Sequence, residues 1–512
     1  MDKEKAKTSI SLGILFNYLR IAIFLIISLF YPPFLLSYVH KVDNGILTLA
    51  VSLLQVISLL SFGVENSYVR FATKKEKEGE GALSKINGSY LILFSLVSIV
   101  ILACGVCFAL LYRFDVLKIQ GADSPSLIFW VILITSISTA FDFFLSLFMW
   151  FEIYRSRFVL HQLALIVAKI LTVSFAMLSL VLGEGILWVS LVTLIVQLSY
   201  GIFNVIYSLK KLKMSISFAP IKEIRGDLLE IFRFSIFIFL TMAVSQIENN
   251  SGKIILSNTL GASSVTVFSY GLQFYTYAAL LSKGVSDTCS PKINSLCING
   301  EAEETNKIFL KASFLEMSVL ALLIGGFALA GRDFLLAWLG DKELTDAELL
   351  QIYIIALASL IVWFVPLTEN VSIEMERAKN KHKMPSLVNF ILALLSVPLS
   401  IVLTLYLPDE WRIYGPLIGS SLFVVLGFYV FNNVYCKKVL KMPIGKYFLI
   451  LGIIAIIAAI SFVIPFAIFE YVLPLDSLDS WLSLIVKAAS FLIIYAGLYL
   501  SIFHKTLFKK RS

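Results

Sequence analysis

Fourteen apolar stretches, each about twenty residues or longer, follow one another from Ser9 to Phe503 with only short polar breaks between them. That repetition leaves few folds open. About 20 residues rising ~1.5 Å each cross the ~30 Å hydrocarbon core of a bilayer, and within lipid a helix satisfies every backbone polar group by itself. The composition agrees: 59% of the residues are hydrophobic and 15% are charged, where a soluble domain carries roughly 25%. The fold class expected is an all-α integral membrane protein of about 14 transmembrane helices. No small-residue cleavage site follows the charged segment Met1–Lys7, so the first helix is expected to be retained.

Orientation follows from the basic residues, because Lys and Arg beside the spans stay in the cytoplasm. Most of the 42 Lys and Arg fall in alternate breaks: Lys3–Lys7, Arg70–Lys85, Arg155 with Arg157, Lys210–Arg225, Lys283–Lys311, Arg377–Lys383, Lys437–Lys446 and Lys505–Arg511. The other set of breaks carries only Lys41, Arg113, Lys118, Lys253, Arg332, Lys342 and Arg412. Both termini are therefore expected in the cytoplasm, with an even number of spans. The net charge of +8 is a topology signal on this reading and implies no nucleic-acid partner.

The longest polar break near the middle, Lys210–Glu230, falls after six spans. The next six repeat the first weakly: Leu60-Ser61-Phe62-Gly63-Val64 ends the second span and Leu281-Ser282-Lys283-Gly284-Val285 ends the eighth. The expected organisation is a six-helix lobe over 1–209, a cytoplasmic linker over 210–229 and a second six-helix lobe over 230–435. Two extra helices and a basic tail then occupy 436–512. Two parallel six-helix bundles around a central cavity form a common transporter plan.

The loops exclude several chemistries. No phosphate loop, HExxH or Ser/His/Asp arrangement is present, and the outer loops are too short for a catalytic domain. No catalytic residue, metal ligand or cofactor is expected. Five cysteines lie in or beside the apolar stretches, and the Cys104-x-x-Cys107 pair reads as two small apolar residues rather than a redox or metal site.

What a greasy helix should not contain is more informative. A charge near the bilayer centre costs at least ~2.5–3.5 kcal/mol, so it is expected to face a cavity or a partner. Arg20 lies eleven residues into the first span, on a stripe with Ser9, Gly13 and Asn17. Thr135, Ser138, Asp142 and Ser146 share a face of the fourth span, and Gln162, Lys169, Thr172 and Ala176 share one of the fifth. In the seventh, Thr241, Ser245, Glu248, Asn249 and Gly252 precede Lys253. One account is an internal ion-pair set, Arg20 or Lys169 with Asp142 or Glu248. The other is a hydrated cavity whose cations meet an anionic substrate. Lys487, Glu369 and Lys283 lie close to helix ends and are expected to snorkel; Glu316 is intermediate.

Ile254-Ile255-Leu256-Ser257-Asn258-Thr259-Leu260-Gly261 leading to Ser269-Tyr270, Pro291 with its charged loop, and Leu335-Leu336-Ala337-Trp338-Leu339-Gly340 carry a resemblance. With them the chain resembles the Wzx-type lipid-linked oligosaccharide flippases, the polysaccharide branch of the multidrug/oligosaccharidyl-lipid/polysaccharide exporter superfamily. Many members carry an aspartate where this chain has Asn249 or Asn250. The resemblance implies transfer of an undecaprenyl-pyrophosphate-linked oligosaccharide repeat unit to the outer leaflet of a bacterial inner membrane. It implies membrane lipids, a polysaccharide polymerase and a chain-length regulator as partners. Arg20, Asn17, Lys169 and Lys253 are the candidate substrate-binding residues; Asp142, Glu248 and Asn249 are candidates for ion coupling. The alternatives are a cation-coupled multidrug exporter, a lipid-linked peptidoglycan precursor flippase and a membrane transferase.

Overall fold

A computed structural model describes the backbone of residues 3–508 apart from 123, 341, 380 and 474–478. It describes side chains from Phe16 to Phe503 apart from those positions and 66, 221, 222, 224, 237, 287, 290, 291, 294 and 298. The side chains of Ser9, Gly13 and Pro291 lie outside the described residues.

The chain is all-helical, with no strand among the described residues. Helices α1 (Lys3–Tyr38), α2 (Lys41–Ile57), α3 (Val64–Glu76), α4 (Glu80–Arg113), α5 (Pro125–Tyr154), α6 (Phe158–Val181) and α7 (Ile186–Ile206) come first. Then follow α8 (Ile221–Thr259), α9 (Ala262–Ile298), α10 (Ala302–Leu339), α11 (Asp346–Val362), α12 (Phe364–Thr368) and α13 (Asn370–Ala378). The last are α14 (Lys383–Tyr406), α15 (Gly415–Val424), α16 (Asn433–Lys438), α17 (Ile444–Tyr471) and α18 (Ser480–Phe508).

Among the described residues eleven helical segments are long and apolar enough to span a bilayer, or up to twelve if the bent α8 is counted as one span. The eighth and tenth apolar stretches are helical as well. The former is the single helix α9, and the latter is broken into α11, α12 and α13. The protein is thus a multi-pass membrane protein.

Local chemistry sets the boundaries. Ser124 caps α5, its hydroxyl accepting from the Leu127 amide, and Pro125 opens the helix at a position that needs no N–H donor. Thr345 and Glu348 form a reciprocal capping box at the start of α11. The second span ends where Phe62 and Gly63 both take positive φ, a conformation Gly63 adopts without cost and Phe62 does not. At the related segment Leu281–Val285 helix α9 runs on unbroken, so the matched pentapeptides have different backbones.

Two compact units emerge. The first comprises Met1–Thr266 with Thr404–Pro416, the second Val267–Leu403 with Leu417–Ser512. Helix α8 belongs to the first unit. Its N-terminal part is tied there by ion pairs Lys74–Glu230 (2.7 Å), Lys75–Asp227 (3.1 Å) and Lys85–Glu223 (2.9 Å). Small residues let helices approach within this unit: a Cβ on Gly105 of α4 would lie 2.2 Å from Ser136 Oγ of α5. Its cores gather Leu49, Leu53, Val131 and Leu180 at one end, and Tyr68, Phe71, Tyr90 and Phe151 at the other. In the second unit α17 and α18 pack on α10 through Tyr447, Ile454, Ile457, Phe491 and Tyr495.

Candidate functional site

The charged residues expected to form a site all lie in the first unit. Arg20 projects from α1, which packs on α6. Its Nη2 donates to Asn17 Oδ1 at 2.9 Å, its guanidinium lies 5.3 Å from the Phe24 ring centroid, and its buried Nε has no acceptor. The Asn17 bond and the ring orient the cation without neutralising it. Its charge also bears on His161 of α6, a buried imidazole whose Nδ1 lies 3.4 Å from the Tyr200 hydroxyl of α7.

Lys169, half-buried on the same face of α6 as Gln162, makes no hydrogen bond or ion pair to any described residue, and Gln162 Oε1 is buried without a donor. Asp142 is exposed on α5 and likewise has no hydrogen-bonding partner among the described residues. The ion pair expected of Arg20 or Lys169 with Asp142 is not formed. The hydroxyls of the polar stripes are mostly satisfied on their own helices: Thr135 Oγ1 donates to Val131 O at 2.7 Å and Thr172 Oγ1 to Ala168 O at 2.8 Å. Ser138 instead crosses to Gln197 of α7. Hydroxyls that bond back to the preceding turn leave the charged groups as the unsatisfied part of each stripe.

Glu248, Asn249 and Lys253 stand on α8, which packs mainly on α2 and α3 rather than on α1 or α6. Asn249 Nδ2 donates to Ser245 O at 2.8 Å, and Lys253 is half-buried with no partner among the described residues. No hydrogen bond or ion pair joins Arg20 to this set. The fold thus brings Arg20, Asn17 and His161 together and sets the α8 group apart.

Sequence reasoning passed over several buried polar groups. Glu152, at the end of α5, is fully buried with neither carboxylate oxygen bonded, and both it and Asp142 lie within electrostatic reach of the Tyr200 hydroxyl. It sits two residues beyond the apolar run and next to Arg155, so position alone assigns it to the loop. Two snorkelling expectations are corrected. Lys487 Nζ is 2.7 Å from Asp333 Oδ2, and Glu369 is 2% exposed at the break between α12 and α13. Snorkelling needs an open path to the interface, which packing removes at both positions. Lys283 is exposed.

An apolar groove of about 890 Å³ runs between α6 and α7, lined by Leu163, Val167, Leu171, Phe175, Trp188 and Ile195 among others. The five cysteines are free, and no group of three or more His, Cys, Asp or Glu among the described residues is placed to hold a metal ion.

No protein-family model matches the chain, and no curated protein does. Solved structures do match. A structure of "Lipid II flippase MurJ, inward closed conformation" superposes with a TM-score of 0.72 at 16% identity, covering 99% of this chain and 100% of that one. The inward-facing conformation of a multidrug resistance MATE family transporter of the MOP superfamily gives 0.57 at 14% identity, covering 86% and 99%. A MOP superfamily transporter from Pyrococcus furiosus, described by the reverse polarity of its binding pocket, gives 0.56 at 14% identity, covering 84% and 95%. At such identities the likeness establishes architecture, and the chain has the fold of the MOP-superfamily membrane transporters.

Proposed function

We propose that this chain is a flippase, not an enzyme. It moves a polyprenyl-pyrophosphate-linked oligosaccharide from the cytoplasmic to the outer leaflet by alternating access, in the service of a surface polysaccharide such as O-antigen or capsule. The observation that carries this reading is a set of cations inside membrane helices that no described carboxylate neutralises: Arg20, Lys169 and Lys253. An unpaired cation in a span is expensive unless a polar path or an anionic ligand meets it. A pyrophosphate is such a ligand, and a guanidinium can hold two of its oxygens at once. On this reading Asn17 orients Arg20 for that task, and Asp142, Glu248 and Asn249 tune or release the cargo.

Six-helix lobes over 1–209 and 230–435 are the two halves of the cycle on this reading, α8 of the second lobe being packed in the first compact unit in this conformation, with the linker 210–229 and both termini in the cytoplasm of a bacterial inner membrane. Membrane lipids fill the α6–α7 groove, and a polymerase and chain-length regulator act on the product. A cation exporter would be opposed by the same unpaired cations. A second reading, a lipid-linked peptidoglycan precursor as cargo, is favoured by the full-length likeness to a lipid II flippase; it shares the pyrophosphate chemistry and differs in the saccharide.

The test is a strain lacking the chain. It should assemble the complete repeat unit on its lipid carrier, hold it in the inner leaflet and lack the surface polymer. Lysis with accumulated peptidoglycan precursor would select the second reading. Normal polymer together with normal growth would refute both.

A further inference from the structure

The second unit buries three carboxylates that the proposed substrate path does not use. Glu316 of α10, Glu369 at the break between α12 and α13, and Glu376 of α13 are 1%, 2% and 3% exposed. Met317, Val371, Met375, Cys436 and Tyr447 of the apolar core lie around them. Among the described residues no Lys, Arg or His bonds to any of the three.

Their neighbours supply few donors. Ser286 of α9 donates to Glu316 Oε1 at 3.1 Å and Cys436 Sγ to Glu376 Oε1 at 3.5 Å, while Ser282 Oγ, whose one proton goes to the Leu367 carbonyl, lies 3.3 Å from Glu316 Oε1. Glu316 Oε2 accepts no bond; the Asn432 and Asn433 amides face Glu369, each with its side-chain oxygen unbonded, so that carboxylate gains an N–H donor only where the Asn432 amide turns end for end. The amide of Asn433 is oriented by its Nδ2, which donates to Phe428 O at 2.9 Å. The remaining facing groups are also spoken for. Tyr447 pairs with Thr368 Oγ1 at 2.6 Å, and Tyr429 donates to Ile361 O and Val362 O at 3.2 and 3.1 Å. Arg377 is exposed and turned to Glu374 at 2.8 Å, and the Cys289 thiol lies within the field of Glu316.

The unsatisfied atoms of Glu316 and Glu369 are oxygen acceptors, and no cation meets them among the described residues. Ionised, each carboxylate would bear a desolvation penalty of several kcal/mol with no countercharge. A proton cures both defects: it removes the charge and turns one oxygen into an O–H donor for a neighbouring acceptor. A metal ion fits less well, since no three His, Cys, Asp or Glu among the described residues converge on one point.

The location adds a consequence. Glu369 lies at the break in a helix, where the Leu367 carbonyl accepts from Ser282 and from Asn370 Nδ2, and the facing segment Val425–Asn432 is π-helical. Backbone irregularities of this kind in membrane helices are tolerated where neighbours satisfy the freed groups, and they recur at functional sites.

We propose that Glu316, Glu369 and Glu376 each bind a proton in the second unit, filled in the conformation described and emptied when the α12–α13 break opens to water. Each binding event takes one proton from hydronium onto one carboxylate and leaves water; release is the reverse. The site rests on the buried geometry, and its use in a cycle rests on the transporter reading.

The experiment is infrared spectroscopy of the full chain in lipid nanodiscs between pH 5 and 9. The wild type should show protonated-carboxyl absorption at pH 7 that Glu316→Gln/Glu369→Gln/Glu376→Gln loses, with Glu369→Gln alone losing part of it. Glutamine matches the neutral acid in shape, so these variants should fold; circular dichroism checks this, and Glu369→Gln alone decides the matter if the triple variant does not fold. Absorption that is absent at pH 7, or equal in wild type and variants, would overturn the proposal. So would displacement of the bound protons by sodium, which assigns the site to a metal cation. In proteoliposomes a pH gradient should change the rate of flipping by wild type and not by Glu369→Gln. Absence of any flipping would count against the transporter reading and leave the spectroscopic result standing.

Discussion

The contact between Lys487 and Asp333 offers a sharp test of how α18 is held. Lys487 Nζ lies 2.7 Å from Asp333 Oδ2 of α10, with the side chains 22% and 17% exposed, and Ser483 Oγ donates to Asp333 Oδ1 at 3.3 Å. Lys487→Met keeps an unbranched apolar stem and removes the cation, so Asp333 is left with one hydroxyl donor. Breaking a buried pair costs about 3–5 kcal/mol, and the residual exposure places this one at the lower end, about 3 kcal/mol. Asp333→Asn/Lys487→Met strands no charge and should return to within about 1 kcal/mol of wild type. Thermal unfolding of the full chain in detergent reads the series: the single variant should melt several degrees below both the wild type and the double variant. If the two substitutions simply add, the pair contributes nothing and Lys487 is free to reach the interface.

Three further outcomes are expected. Burial pushes the Glu376 carboxyl up from 4.5 to about 7 against the smaller opposing effects of the Cys436 hydrogen bond and Arg377. Because the folded value is the higher one, its contribution to stability is full below about pH 4.5 and is lost as pH rises through 7; the shift amounts to about 3 kcal/mol. Melting of Glu376→Gln should therefore fall less than that of wild type between pH 5 and 8, and parallel profiles would rule the linkage out. Gly105→Ala should force α4 from α5 at a cost of about 1–3 kcal/mol, and Ser136→Gly should recover part of it by removing the opposing Cβ; an unaffected melting point would contradict the close approach. Arg20→Ala should abolish flipping in proteoliposomes while the protein stays folded, and Arg20→Lys should retain part; full activity of Arg20→Ala would remove Arg20 from the substrate path.

Much of the site's composition is legible in the sequence, because a charge in an apolar run stands out whatever surrounds it. Arg20, Lys169, Asp142 and Lys253 are all visible that way, and the structure leaves each without an ion-pair partner among the described residues. Glu152 and Glu376 are not visible, since both lie beside arginines at the ends of apolar runs and read as loop residues. Their burial depends on which helices close over them.

By itself, then, the sequence determined the solvent and the element type. Twenty apolar residues in lipid form a helix because no water is present to satisfy an open backbone, and that requirement is local to each stretch. Partners were decided only in three dimensions. The sequence allowed Lys487 to snorkel and packing gave it Asp333; it allowed Arg20 a carboxylate, and packing brings it none among the described residues, leaving the guanidinium to Asn17 and Phe24 one turn away on its own helix. Helix–helix association in lipid is driven by close packing and a few hydrogen bonds rather than by hydrophobic burial. Which faces meet therefore depends on the shapes of residues far apart in the chain, such as Gly105 against Ser136, and no single stretch encodes that choice.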